Sequence, residues 1–156
     1  MKHEFTAKVV RRIIGISQDL LAQWIDRGFI PVARPAPGSG YKHLFSLEDI
    51  FRLLVFQEII KMGLKREVAG RIACCENIEY VNEIARLLNK PTPAGAFSYG
   101  FFHYSMPVDK INIKVVKSED EMGSIYEELR GLPLFFVINL SAISKCLEGL
   151  REEKDG

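Results

Sequence analysis

A chain of 156 residues, 47% apolar and 26% charged, carries enough apolar sequence for one domain or two small ones. No apolar run approaches the roughly 20 residues of a membrane-spanning helix, and three cysteines, two of them adjacent, cannot make a disulfide framework; both classes are excluded. Charge is uneven: residues 1–73 hold 12 Lys and Arg against 7 Asp and Glu, whereas residues 74–156 hold 9 against 13. A basic head on an acidic body is the distribution of a nucleic-acid-binding head joined to a separate domain. The start, Met1-Lys2-His3-Glu4, leads into no signal-type apolar core, so a cytoplasmic protein is expected.

Thr6 is placed to cap a first helix, Ala7 to Ile14, with Val9, Val10, Ile13 and Ile14 on one face and Lys8, Arg11 and Arg12 towards the other. Gly15 ends it. Ser17 is a strong N-cap for a second helix, Gln18 to Arg27, in which Leu20, Leu21 and Trp24 recur at helical spacing and Trp24 is expected in the core. Gly28 sits where a helix end takes a left-handed residue, and Pro31 biases Ile30 towards an extended strand. Helix, glycine turn, helix and glycine stop form a helix-turn-helix. Val32 to Arg34, the Pro-Ala-Pro-Gly-Ser-Gly tip and Tyr41 to Phe45 read as a two-stranded wing, with Arg34, Lys42 and His43 flanking the tip. Ser46 then caps a third helix, Leu47 to Met62, with Glu48 and Asp49 in its first turn and Gly63 as its stop. Its middle, Leu53 to Phe56, is apolar all round and so is expected to be buried on more than one side. A fourth helix, Leu64 to Cys75, exposes Lys65, Arg66 and Arg71.

These pieces, Phe5-Thr6, Gly15-Ile16-Ser17, Trp24, Gly28-Phe29-Ile30-Pro31, Arg34, Gly38-Ser39-Gly40, Tyr41-Lys42-His43-Leu44-Phe45 and Asp49, stand in the order and spacing of MerR-type regulators. The run Phe5 to Ala73 resembles the DNA-binding domain of that family. The resemblance implies a winged helix-turn-helix that binds double-stranded DNA as a homodimer. Helix 18–27 would enter the major groove, where Gln can pair with adenine and Asp can accept from cytosine, so Gln18, Asp19 and Gln23 are the candidate base contacts. Arg11, Arg12, Arg34, Lys42 and His43 are the candidate backbone contacts. Asp19 and Ala22 stand where family members commonly carry Arg, which gives the wing and dimerisation a larger share of binding.

Asn77 to Asn89 continues as a helical connector with Ile78, Val81, Ile84, Ala85 and Leu88 on one face, ended by Pro91 and Pro93. It is short for the coiled coil by which the resembled family dimerises. Phe97 to Met106 and Lys110 to Lys117, the latter alternating Ile111, Ile113 and Val115 with Lys110, Asn112 and Lys114, read as a hairpin about Pro107-Val108-Asp109. Ser118 and Glu121 open a helix as a capping box. Leu134 to Ile138 reads as a buried strand, and Ser141 caps a last helix with Ile143, Cys146, Leu147 and Leu150 on one stripe. Strand, helix and strand from Lys110 to Asn139 are long enough for a parallel crossover. The expected fold is thus α+β: a winged head at 5–73, a connector at 74–90 and a small ββαβα body at 97–153, for dimerisation or effector binding.

Other chemistry is not expected. Adjacent Cys74 and Cys75 would point about 100° apart on a helix, and no Cys or His stands at ligand spacing from them, so no metal site is read. Gly38-Ser39-Gly40 lacks the Lys-Ser/Thr of a phosphate loop, and Glu119-Asp120-Glu121 is an acidic first helical turn rather than a catalytic set. No cofactor and no enzyme activity are expected. The aromatic run Phe97 to Tyr104 is open between a core strand, the wall of a pocket for an aromatic or lipophilic small-molecule effector, and a dimer surface. The function expected is a transcriptional regulator. Two alternatives remain: a phage-type DNA accessory protein, such as an excisionase or packaging factor, or a protein-interaction module whose helix-turn-helix no longer binds DNA.

Overall fold

Gly15 and Gly28 both close helices in the computed structural model, which describes residues 4–30, 42–90, 93, 95–105, 110–131 and 135–152. The chain divides into two units, Met1–Cys74 and Cys75–Gly156. In the first, β1 (Phe5–Thr6) leads into α1 (Ala7–Ile14), which ends at Gly15 with φ +74°; α2 (Gln18–Asp26) follows, capped by Ser17, whose hydroxyl accepts from the Leu20 amide at 3.2 Å. The end of α2 is a Schellman motif. Gly28, at φ +70°, donates to the Ile25 carbonyl at 2.9 Å, and Phe29 donates to the Trp24 carbonyl at 3.0 Å.

Two expectations for this unit are corrected. Thr6 occupies the N-cap position of α1 but makes no side-chain capping bond. Its backbone instead lies in a two-residue antiparallel ladder with β2 (Leu44–Phe45), pairing with Leu44, while Phe5 pairs with Phe45. Residues 29 and 30 form a bend rather than a strand, because the Schellman bonds hold Phe29 against the helix end. The first wing arm and the tip, with Arg34, lie outside the described residues.

Ser46 and Asp49 form a reciprocal capping box at the start of α3 (Leu47–Lys61): the Asp49 amide donates to Ser46 Oγ at 3.1 Å and the Ser46 amide to Asp49 Oδ2 at 2.8 Å. The apolar middle of α3 is buried as expected, Leu53, Val55 and Phe56 fully so, with Trp24 packed edge-on to Phe56 at 4.9 Å. The α3 helix packs on α4 (Arg66–Ala73). Arg52, only 4% exposed, ties the two together: it pairs with Glu48 and donates to the Ala73 carbonyl at 3.2 Å. A cation there also meets the negative end of the α4 dipole.

In the second unit, β3 (Tyr99–Ser105) is central, flanked by β4 (Lys110–Val116) and β5 (Phe135–Asn139), both antiparallel to it. It follows that β4 and β5 run parallel to each other. The crossover between them carries α6 (Glu119–Leu129), but β3 lies between the two strands, so they are not neighbours. Phe135 to Val137 are accordingly half-buried on an edge strand rather than buried in the sheet's middle. One face of the sheet packs on α6, where Phe101, Val116 and Leu129 form a cluster with Met122 and Ile125. The other face meets α5 (Ile78–Asn89), whose Tyr80 packs edge-on to Phe102 at 5.8 Å. The helix α7 (Leu140–Cys146), followed by α8 (Glu148–Glu152), packs against α5 and β3. The aromatic run is thereby core at Phe101 and Phe102. The Pro107 turn lies outside the described residues.

Three local expectations change here. The buried face of α5 is Tyr80, Glu83, Ile84 and Leu87, and Ile78 is 68% exposed, because the sheet draws in the large aromatic Tyr80 rather than the aliphatic stripe. Glu121 reaches back to the amide of Lys117, at 2.8 Å, rather than to that of Ser118. Asn139, not Ser141, caps α7: its Oδ1 accepts from the Ala142 amide and from the Ser141 hydroxyl, which is buried.

Glu83 is 1% exposed. Arg86 donates to it at 3.0 Å and Ser98 Oγ at 2.7 Å, and Lys117 Nζ lies 3.4 Å away. Burial pushes its carboxyl up, but the Arg86 and Ser98 hydrogen bonds and the Arg86 and Lys117 charges outweigh that and hold it below the usual carboxylate range. On α6, a Cβ at Gly123 would meet nothing within 4 Å. Gly123→Ala is therefore expected to stabilise the protein by about 0.5–1 kcal/mol, read as a higher denaturant midpoint; a lower midpoint would refute the open space at this position.

Candidate nucleic-acid interface

The helix α2 is held at its start by Ser17 and at its end by the Schellman bonds. Its buried residues, Leu21 and Trp24, fix its roll, which leaves Gln18, Asp19, Ala22 and Gln23 exposed. These are the residues that can reach base edges if the helix enters a major groove. On α1, Val10 and Ile14 are buried, so Lys8 and Arg12 are exposed and Arg11 is half-buried. Gln57 Nε2 donates to the Ile14 carbonyl at 3.0 Å and ties α3 to the end of α1.

A groove of about 430 Å³ runs between these elements, lined by Thr6, Ala7, Lys8, Arg11, Gln18, Leu21, Ala22, Ile25, Lys42 and His43. It brings together four of the residues singled out in the sequence: Arg11, Gln18, Lys42 and His43. Arg11 Nη1 donates to Gln18 Oε1 at 2.9 Å. Asp19, Gln23 and Arg12 are exposed but do not line this groove. Arg34 lies outside the described residues. Lys8 joins the set without having been selected; its signal was its place three residues before Arg11, on the same side of the helix. A second concavity, of about 360 Å³, gathers Arg27, Lys65 and Arg66 with Phe29, Ile60, Gly63, Leu64 and Glu67. It brings cations from the end of α2 and the start of α4 to one place, which no linear motif marks.

The order of elements, the capped second helix with a glycine-closed end and the cationic groove beside it are those of a helix-turn-helix head. Residues 5–73 match the family model of MerR HTH family regulatory proteins. The head is a MerR-like helix-turn-helix domain. The MerR HTH family is a family of DNA-binding regulatory proteins. The match covers the head and not the residues after it, and the comparison with curated proteins found no match to the chain. Among the described residues, no group of three or more His, Cys, Asp or Glu side chains could hold a metal ion, and no helix is long and apolar enough to cross a membrane. Beside the MerR-like head's exit turn, the Cys74 thiol lies 3.8 Å from the Phe29 carbonyl, a packing position.

Proposed function

We infer that the protein is a transcriptional regulator that binds duplex DNA as a homodimer through recognition helix 18–27 and wing 32–45. Residues 5–73 hold the DNA, and the body at 97–153 serves dimerisation or effector binding. The observation that carries this reading is the groove in the MerR-like head where Lys8, Arg11, Gln18, Lys42 and His43 converge beside the start of α2. Cations on both sides of a helix with exposed amide side chains are what a duplex needs: phosphate contacts set the register and the helix reads bases. Gln18, Asp19 and Gln23 take the base edges. Arg11, Arg12, Lys42, His43 and the wing's Arg34 take the backbone. A two-fold dimer would place two heads on an inverted repeat. A cleft of about 350 Å³ in the second unit, lined by Asn77, Phe101, Asn112, Ile113, Lys114, Glu128 and Leu129, offers a small polar effector a place.

The test is binding to a random duplex pool at two salt concentrations. An enriched inverted repeat is expected, with affinity falling steeply as salt rises. Replacing Arg34 and Lys42 together by Ala should weaken binding to every sequence and lower the salt slope by about two; an unchanged slope removes the wing from the interface. One observation favours a second reading. Asp19 is an exposed carboxylate in the first turn of α2, unfavourable beside phosphate and suited to a protein partner. Absence of binding at either salt would remove the DNA-binding reading and favour that one.

A further inference from the structure

We propose that Arg11 and Gln18 act as one donor unit that reads the major-groove edge of a guanine, which makes Arg11 a specificity-setting residue and not only a phosphate contact. The proposal rests on the DNA-binding reading above and names the base that its first recognition residue takes. Arg11 Nη1 lies 2.9 Å from Gln18 Oε1. A guanidinium can only donate, so the amide atom facing it must be the oxygen. The orientation of the Gln18 amide is thereby set by chemistry: its oxygen faces Arg11 on α1, and its Nε2 is the end that remains to donate. The stem of Arg11 is sunk beside the helix pair, where Nε is buried and has no hydrogen-bond partner among the described residues. That limits how far the guanidinium can swing away.

An unrestrained Gln pairs with adenine by accepting from N6 with its oxygen and donating to N7 with its nitrogen. Here that oxygen faces Arg11, which takes one of its two lone pairs, so what the pair has left to present is mainly donors: Gln18 Nε2 and the remaining Arg11 N–H groups. Lys8 and Lys42 in the same groove add further donors. Guanine presents two acceptors, N7 and O6, and no donor in the major groove. Adenine and cytosine each present an amino donor, and thymine a single acceptor beside a methyl group. Guanine is the edge that a donor-rich pair satisfies completely, whereas an amino group brought against it must share the one acceptor that Arg11 already holds.

The experiment selects bound duplexes from a random pool with the full-length protein, with Arg11→Met and with Gln18→Ala. The position whose preference disappears in Gln18→Ala is the base read by this unit. Wild type is expected to take guanine there by about tenfold over adenine, and Arg11→Met, which frees the amide oxygen, is expected to shift that position to adenine. A second measurement leaves the protein unaltered: 7-deazaguanine at that position removes the N7 acceptor and should weaken wild-type binding severalfold. Adenine in the wild-type site, no position lost in Gln18→Ala, an indifferent response to 7-deazaguanine, or guanine kept by Arg11→Met with an equal loss for all sequences would each overturn the proposal while leaving DNA binding intact. A wild-type protein that binds no duplex would overturn the functional reading itself.

Discussion

Arg86→Ala is expected to destabilise the protein at neutral pH by about 3 kcal/mol or more, and Glu83→Gln by about 1–2 kcal/mol, although the two residues are partners in one ion pair. The asymmetry comes from burial. The Arg86 and Lys117 side chains are 45% and 55% exposed, whereas that of Glu83 is 1% exposed. When Glu83 becomes Gln, the two cations turn to water, and the amide oxygen still accepts from Ser98. When Arg86 becomes Ala, a carboxylate stays in the interior with the Ser98 hydroxyl and one partly solvated lysine.

The pH dependence separates the two variants further. In the wild type the folded-state pKa of Glu83 is lowered. Its contribution to stability is therefore fully present above the unfolded value, about 4.3, and is lost as pH falls through the folded value. In Arg86→Ala the main lowering partner is gone, so the balance between burial and the remaining Ser98 and Lys117 contacts moves the folded pKa upward. The variant's deficit should then shrink as pH falls and the carboxyl protonates. Urea unfolding at neutral and mildly acidic pH measures both effects. A Glu83→Gln loss that exceeds that of Arg86→Ala, or a deficit that widens in acid, would show that Glu83 is not the buried, ionised member.

Gly70→Ala carries the second large effect, and its sign reverses the usual rule. Ala is the better helix former by about 1 kcal/mol, so α4 alone would gain. In the fold, a Cβ at Gly70 would lie 2.5 Å from the Phe29 carbonyl oxygen and 3.2 Å from its Cα. These are backbone atoms, and no rotamer change can clear them. The helix or the Phe29 turn must shift, and overpacking of this kind costs about 1–3 kcal/mol. Phe29 directly follows Gly28 and is bonded to Trp24, so the displacement reaches the end of the recognition helix. The expected result is a lower denaturant midpoint together with weaker DNA binding, set against the gain expected from the same substitution at Gly123. A stabilised Gly70→Ala would mean that α4 does not press on that turn.

The difference between Gly70 and Gly123 marks how far the sequence could be read. Both are glycines inside helices, and nothing next to them in the chain tells them apart. Where structure depends on a few consecutive residues, the reading held. Gly15, Gly28 and Gly63 take positive φ, Ser17, Ser46 and Ser118 cap their helices, and the alternation of Lys110 to Val116 is a strand. Left-handed backbone and side-chain caps are settled by local sterics and by hydrogen bonds that span three residues. The same local logic failed where a neighbour competed. Thr6 is held by strand pairing with Leu44, and Asn139, two residues ahead of Ser141, takes the cap of α7.

The candidate interface divides along the same line. The recognition helix and the exposure of Gln18, Asp19 and Gln23 follow from helical period around Leu21 and Trp24. That Lys8, Arg11, Gln18, Lys42 and His43 share a groove, and that Arg11 sets the Gln18 amide, required α1, α2 and the segment before β2 to be brought together.

From residues alone came the helix-turn-helix with its closing glycines, the basic head and acidic body, the hairpin and the MerR-like character of residues 5–73, because each rests on chain stereochemistry, periodicity or summed charge. Only the tertiary structure decided that β3 is the central strand, that Tyr80 and Glu83 rather than Ile78 face inward, that Arg52 is buried against the Ala73 carbonyl and that Gly70 touches Phe29. Those outcomes depend on which surfaces meet across many residues of chain. A side chain's burial and partners are set by the competition among all surfaces that could cover it, and no short window of sequence contains that competition.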